Sequence, residues 1–333
     1  MYILEYPKSM VVYGNDALDW LKNVRGKTAL VTTRSLLNSK ILSEVLKIVK
    51  AEVIQGPSQH VPKQELESLK QKLMRDYEVV IGLGGGSIID GVKLALSERK
   101  DSFYIAIPTT LSGAEHTRSG GFTDEYGLKR SGVLGKEIDV IILDPRATLE
   151  TPKWLLLSTG IRSLDHAIET IYSKDSNPFN EALAIMAYRK LTRCLKSLDS
   201  LESRLECQVG SWLASINMRY VRMGMSHMFG YVFGPKYNIP HGITSCISLP
   251  TAIKYNYDAA KDKLREIEGE GEPLYITVDK FLMDIGMKYR LSEFTSLEEA
   301  MKNAEIFTKL VNNSGNPINI DVEMARSFIK DVY

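Results

Sequence analysis

In IGLGGGSIIDGVKLAL (Ile81 to Leu96) an apolar run passes straight into three glycines and a serine, then continues as a helical pattern. No other stretch narrows the possible folds so far. Glycines without Cβ atoms let a backbone approach a pyrophosphate closely, and the free N–H groups at a helix start favour an anion there. Gly84, Gly85, Gly86 and Ser87 are therefore candidate phosphate-binding residues. The run is neither the GxGxxG dinucleotide fingerprint nor a Walker A loop, because no Lys-Ser or Lys-Thr follows the glycines. A plain tight turn also uses glycine, so the turn alone leaves both readings open.

The turn belongs to a series. TALVTT (Thr28 to Thr33), AEVIQG, EVVIGLGGGS, FYIAIPTT and VIILDP read as strands. Between them, Ile41 to Val49 and a segment through Leu66, Leu69 and Leu73 place apolar residues at helical spacing. Strands separated by helices of this length indicate βαβ units and a mostly parallel sheet. Gly121 to Leu134 departs from the pattern: two short runs flank Glu125-Tyr126-Gly127, as in a hairpin. After Pro152 the alternation stops and long helical patterns follow, such as Glu181 to Leu195 and Leu201 to Met218. The expected fold is an α/β dinucleotide-binding domain over 1–152, then an all-α substrate or catalytic domain over 153–333.

Composition excludes several other classes. The 333 residues suit two domains of roughly 150 residues each. A formal net charge of +1 supplies no field that would recruit nucleic acid or an anionic membrane. No stretch approaches the ~18 apolar residues of a membrane span. MYILEYPKSMVVYG lacks a basic segment followed by a long apolar run, so a cytoplasmic protein is expected.

Further motifs carry a family resemblance. GGGSIID followed by Lys93 resembles the GGGSxxDxxK signature of the iron-containing alcohol dehydrogenases and the dehydroquinate synthase-like fold. Pro108-Thr109-Thr110-Leu111-Ser112-Gly113-Ala114-Glu115 resembles the family loop that lines the cofactor pyrophosphate and nicotinamide. FTDEYGLKRSGV, VIILDP, TPKWLLLSTGIRSLDHAIE, GMSHMFG, YNIPHGITSCISLP and SGNP continue the series in order. The resemblance implies an NAD(P)-dependent oxidoreductase, with Asp90, Thr109, Thr110, Ser112 and Lys129 joining the glycine turn as cofactor contacts. Family members with an acidic residue after the Thr28–Thr33 strand bind the ribose hydroxyls of NAD; here Thr33 and Arg34 follow. Loss of the carboxylate and gain of a guanidinium favour a 2′-phosphate, hence NADP, with NAD remaining open.

Metal-dependent members hold Fe²⁺ or Zn²⁺ with an Asp and three His, the Asp four residues before the first His. His166 matches that His, but Arg162 stands at the Asp position. Asp165 lies about 100° away around the helix and is not expected to replace the lost ligand. A second ligand position is Met223, while His227 and His241 are kept. A guanidinium repels a divalent cation and a thioether is a poor ligand for it, so no metal is expected. If one is present, His166, His227 and His241 are the expected ligands. The same changes suit an anionic substrate, and the chain looks closest to the maleylacetate reductase branch, whose members act on a dicarboxylate. His227 and His241 are then the acid–base candidates, His166 a substrate-orienting group and Arg162 a carboxylate anchor. The resemblance further implies a homodimer. A Zn- or Fe-dependent alcohol or polyol dehydrogenase and a non-catalytic nucleotide-binding homologue are the alternatives.

Overall fold

Strands that are apolar on both faces need cover on both sides. In the computed structural model, which describes residues 7–333 except Lys100, Leu128 and Glu270, the most apolar runs form the middle of one sheet. Residues 1–6, on which part of the N-terminal reading rests, lie outside the described residues. The chain divides into two units. One holds the residues to Pro152 together with Asp199–Val209; the other holds Lys153–Leu198 and Gly210–Tyr333.

The first unit runs β1 (Met10–Tyr13), β2 (Thr28–Thr32), α1 (Lys40–Ile48), β3 (Glu52–Gln55), α2 (Lys63–Leu73), β4 (Val79–Gly84), α3 (Gly86–Ala95), β5 (Phe103–Pro108), β6 (Ser119–Thr123), β7 (Lys129–Leu134) and β8 (Val140–Leu143). Six strands form a parallel sheet in the order β1-β8-β5-β4-β2-β3. β2, β4 and β8 are buried throughout, while edge strands β1 and β3 carry exposed residues. Alternate residues Leu30, Ile81, Leu83, Ile105, Ile107, Val140 and Ile142 line one face and pack with Ile41, Leu42 and Val45 of α1. Each such side chain contributes about 1.5–3 kcal/mol when fully buried. Ser39 fixes the start of α1 by accepting from Leu42 N–H. β6 and β7 form the separate antiparallel hairpin, with a register shift between Gly120 and Phe122. β1 was not foreseen: four residues with exposed ends give neither a long run nor a clear alternation.

Strand order places the glycine turn. From β2 the chain moves outward to β3, then returns to the other side of β2 for β4 and continues to β5 and β8. The progression reverses between β2 and β4, and α/β sheets bind ligands beyond the carboxyl ends of strands at such a reversal. The turn follows β4 there. Residues 199–209, expected in the helical domain, count with this unit: Arg204 donates to Thr148 O at 2.7 Å and Gln208 to Asp144 O at 3.2 Å.

The remaining helices are α4 (Lys153–Tyr172), α5 (Pro178–Cys194), α6 (Leu201–Ser215, its first turns in the first unit), α7 (Met225–Lys236), α8 (His241–Leu264), α9 (Leu274–Asp284), α10 (Leu297–Met301), α11 (Ala304–Asn312) and α12 (Val322–Val332). No strand occurs in the second unit among the described residues. α4 is buried almost continuously from Leu156 to Tyr172 and packs on α5 and α8, as a helix at the centre of a bundle does. A loop at 313–318 clamps the segment before α7. Gly315 N–H donates to Met223 O at 2.9 Å, and Asn316 Oδ1 accepts from Met225 N–H at 3.1 Å and Asn256 Nδ2 at 2.9 Å. Met223 and Met225 are buried packing residues. No helix of the described residues is long and apolar enough to cross a membrane.

Candidate functional site

The first unit carries an anion-binding turn. α3 starts at Gly86 with Gly85 as its cap; no side chain caps it, and Ile88 and Ile89 N–H donate to Gly85 O, so the N–H groups a helix start offers an anion are those of Gly86 and Ser87. Missing Cβ atoms keep the turn clear. One on Gly85 would come 3.0 Å from Thr110 Cγ2, and one on Gly86 3.1 Å from Ser112 Oγ. Thr109 N–H donates to Gly84 O at 3.0 Å, and Thr110 Oγ1 lies 3.4 Å from Ser112 Oγ. The structure thus gathers Gly84, Gly85, Gly86, Ser87, Thr109, Thr110 and Ser112 at one end of the sheet.

Asp90, expected as a cofactor contact, is engaged in holding the surrounding loops. The fully buried Lys93 lies 2.7 Å from Asp90 and donates to Ala114 O (2.8 Å), Thr117 O (3.2 Å) and Ser119 O (2.6 Å). Asp90 also accepts from Gly121 N–H at 3.2 Å. Lys129 is half-buried on β7, and burial pulls its pKa down against the opposing pull of Asp90. Thr33 is half-buried and caps the short turn Arg34–Leu36, on which Arg34 is exposed. His60 joins this group. Its N–H donates to Ser87 Oγ at 3.3 Å, and both His60 and Val61 hold left-handed φ angles of 66° and 53°. Such strain in non-glycine residues collects at functional sites.

The second unit carries a buried polar centre. Arg162, Asp165, His166 and Glu169 on α4 are fully buried, as is His227 on α7. Arg162 Nη1 lies 3.0 Å from Ser245 Oγ and 3.5 Å from Asp165 Oδ2, and its Nε is buried without a hydrogen-bond partner. Asp165 Oδ2 accepts from Ser226 Oγ (2.7 Å) and Ser245 Oγ (2.6 Å). Glu169 accepts from Gly224 N–H (2.5 Å), Ser226 N–H (2.7 Å), Tyr172 Oη (3.2 Å) and His227 Nδ1 (2.7 Å). His227 Nε2 is buried and has no partner. His166 lies beside His227 with ring centroids 4.8 Å apart and the planes tilted by 33°, and its Nδ1 lies 3.1 Å from Ser215 Oγ.

Opposing fields set the protonation of this centre. Burial and the Arg162 charge pull the His227 imidazole down, but Asp165 and Glu169 outweigh them and its pKa is raised. Burial pushes the Asp165 carboxyl up, yet His227, Arg162 and Ser245 hold it below the usual carboxylate value. His166 is driven well below the usual histidine range by burial, then by His227, Arg162 and His241. One centre therefore holds one imidazole biased towards charge and one biased against it.

Two expectations about this centre change. Asp165, not expected to replace the lost metal ligand, has its carboxylate 3.4 Å from His227 Nδ1. The metal set His166, His227 and His241 is not the group the fold assembles. Among the described residues, Asp165, Glu169 and His227 are the ones whose ligand atoms lie within 4.8 Å of one another. His241 is exposed at the first position of α8, its ring 6.1 Å from that of Tyr231. Glu169 was not singled out. Its signal lay in the spacing: Arg162, Asp165, His166 and Glu169 stand at i, i+3, i+4 and i+7, a stripe of ionisable residues along one face of the helix.

Residues 8–145 match the family model for iron-containing alcohol dehydrogenase, and residues 156–332 match the C-terminal model of the Fe-containing alcohol dehydrogenase family. A maleylacetate reductase of Pseudomonas knackmussii is 28% identical over 355 aligned positions, covering 100% of this chain and 97% of that protein. One of Pseudomonas sp. (strain P51) is 32% identical over 254 positions, 69% of each chain. The crystal structure of maleylacetate reductase from Agrobacterium tumefaciens superposes with a TM-score of 0.89 at 24% identity, covering 100% of this chain and 98% of that one. The chain belongs to the iron-containing alcohol dehydrogenase family, on its maleylacetate reductase-like branch, and is an NAD(P)-dependent oxidoreductase.

Proposed function

We propose that the chain reduces the carbonyl of a small carboxylate such as maleylacetate, using NADPH or NADH, and needs no metal to do so. The observation that carries this reading is Arg162. It is buried beside His227 where metal-binding relatives place an aspartate, and it keeps an unpartnered Nε–H to offer an anion. A carboxylate accepting from a buried guanidinium gains a charge-assisted bond of the stronger kind.

The donor set argues against a family-type metal. Glu169 already accepts four hydrogen bonds, and Asp165 Oδ2 three, so a cation at this group would have to displace N–H and O–H donors the fold supplies. His227 Nδ1 is itself turned towards Glu169. The turn at Gly84, Gly85, Gly86 and Ser87, with Thr110 and Ser112, fits a dinucleotide diphosphate, since side chains there would fill the space. The bound cofactor supplies a hydride. Of this chain's own residues, Arg162 holds the substrate carboxylate, His227 delivers a proton from Nε2 to the carbonyl oxygen, and His166 orients the substrate. His241 is the second acid–base candidate. Asp90 and Lys93 act through the loops they hold, and Lys129 lies on the cofactor side. The enzyme is proposed to be a cytoplasmic homodimer acting on a small anionic molecule, with no nucleic-acid or membrane partner.

The test is oxidation of NADPH and NADH with maleylacetate, set against reverse assays on simple alcohols, on chelator-treated protein with and without Zn²⁺ or Fe²⁺. Chelator-resistant reduction of the keto acid is expected. The second reading, a metal-dependent alcohol dehydrogenase, is favoured only by the proximity of Asp165, Glu169 and His227. Activity confined to added metal and neutral alcohols would establish it instead.

Thr33 and Arg34 favour NADP in this reading. Arg34→Glu is expected to raise the KM for NADPH roughly tenfold while leaving that for NADH nearly unchanged, from the loss of a charge-assisted phosphate contact. An unchanged preference would show that Arg34 is only a solvated surface residue.

A further inference from the structure

We infer that Glu169 is a positioning residue that decides which nitrogen of His227 carries the exchangeable proton. This rests on the reading of His227 as the proton donor, and deepens it.

His227 Nδ1 has only oxygen acceptors beside it: Glu169 Oε2 at 2.7 Å and Asp165 Oδ1 at 3.4 Å. A carboxylate donates nothing, so Nδ1 must hold a hydrogen. The fold makes this assignment rigid. The other Glu169 oxygen accepts from Ser226 N–H and Tyr172 Oη, and Oε2 accepts from Gly224 N–H as well as from His227. Glu169 thus satisfies open backbone donors at the start of α7 and cannot turn away without leaving them bare. Gly224 permits the approach: a Cβ on it would come 3.1 Å from Glu169 Oε1.

With Nδ1–H fixed, Nε2 is the nitrogen that changes state. It is buried, without a partner, and on the far side of the ring from Glu169. In reduction, hydride adds to the carbonyl carbon, the π pair moves to oxygen, and the Nε2 proton follows to that oxygen. A neutral imidazole with its proton on Nδ1 remains, and the cofactor leaves oxidised. In the reverse direction the same Nε2 lone pair accepts the alcohol proton. Were the tautomer inverted, neutral His227 would hold its proton on Nε2 and could not serve as that base. Replacing an orienting carboxylate by its amide in the Ser-His-Asp triad costs about 10⁴ in kcat for this reason.

The direct test is ¹⁵N NMR of histidine-labelled protein, with His227→Ala to assign the signal. The wild-type ring is expected to carry a strongly hydrogen-bonded Nδ1 proton. An Nε2–H tautomer in the neutral ring would overturn the inference, whatever the substrate proves to be. In Glu169→Gln the Nδ1 signature is expected to be lost and kcat to fall a hundredfold or more, with dinucleotide affinity and substrate KM within about threefold. Glu169→Asp, which keeps the carboxylate, is expected to restore part of kcat and the signature together. A Glu169→Gln protein that binds cofactor and keeps kcat within threefold would overturn it. If wild-type protein shows the Nδ1 proton but reduces no keto acid, the functional proposal fails and the tautomer assignment stands.

Discussion

Arg162→Asp is expected to cut reduction of the keto acid by at least an order of magnitude and to make the protein respond to divalent cations. In the native centre the Arg162 guanidinium lies 3.5 Å from Asp165, whose carboxylate and that of Glu169 both face His227. The substitution replaces a positive charge with a negative one among buried side chains. Loss of one partner of a buried charge pair costs about 2–5 kcal/mol, so kcat/KM for an anionic substrate is expected to drop roughly 30-fold to several thousandfold. Asp165 also loses the Arg162 charge that helps hold its carboxyl in the ionised form. The new carboxylate would stand four residues before His166, on the same helix face. A thermal midpoint that rises on adding Zn²⁺, in the variant and not in the native protein, is the signature to seek. Arg162→Lys keeps the charge without the planar fork and is expected to fall between the two. Undiminished keto-acid reduction in Arg162→Asp would remove Arg162 from the site.

Gly315→Ala is expected to be the most damaging single methyl group in the second unit. A Cβ there would lie 1.9 Å from Arg222 O and 2.4 Å from Ser173 Oγ, so backbone must move and not merely a flexible side chain. The same stretch holds Met223 O and Met225 N–H. Overpacking of a tight site costs about 1–3 kcal/mol, and this contact belongs at the upper end. A fall in thermal midpoint of roughly 6–12 °C is expected for a unit of this size. A shift of a degree or less would mean that the 313–318 loop yields freely.

Much of this architecture was legible in the residues alone. Val79 to Gly84 carries no polar side chain, and Thr28 to Thr32 has only threonines at its ends, a pattern that suits strands covered on both faces. The glycine turn gave its own position, because uninterrupted passage from such a strand into a helix leaves no other place for it. β1 was hidden by its four-residue length. The polar centre was half legible: Arg162, His166 and His227 stand at motif positions, whereas Asp165 and Glu169 act through partners on α7 and α8 up to 80 residues away. A carboxylate in HAIET reads locally as any solvated helix residue. Only packing of α4 into the centre of the second unit makes it an acceptor for a helix start and an imidazole.

The clamp at 313–318 has a consequence for anyone redesigning this enzyme. Asn316 reaches the backbone of Met225, two residues from His227, although it lies some ninety residues further along the chain. Random mutagenesis selected for new substrates would therefore be expected to return hits in this C-terminal loop. Such hits would retune the aim of the imidazole without altering any group that meets the substrate.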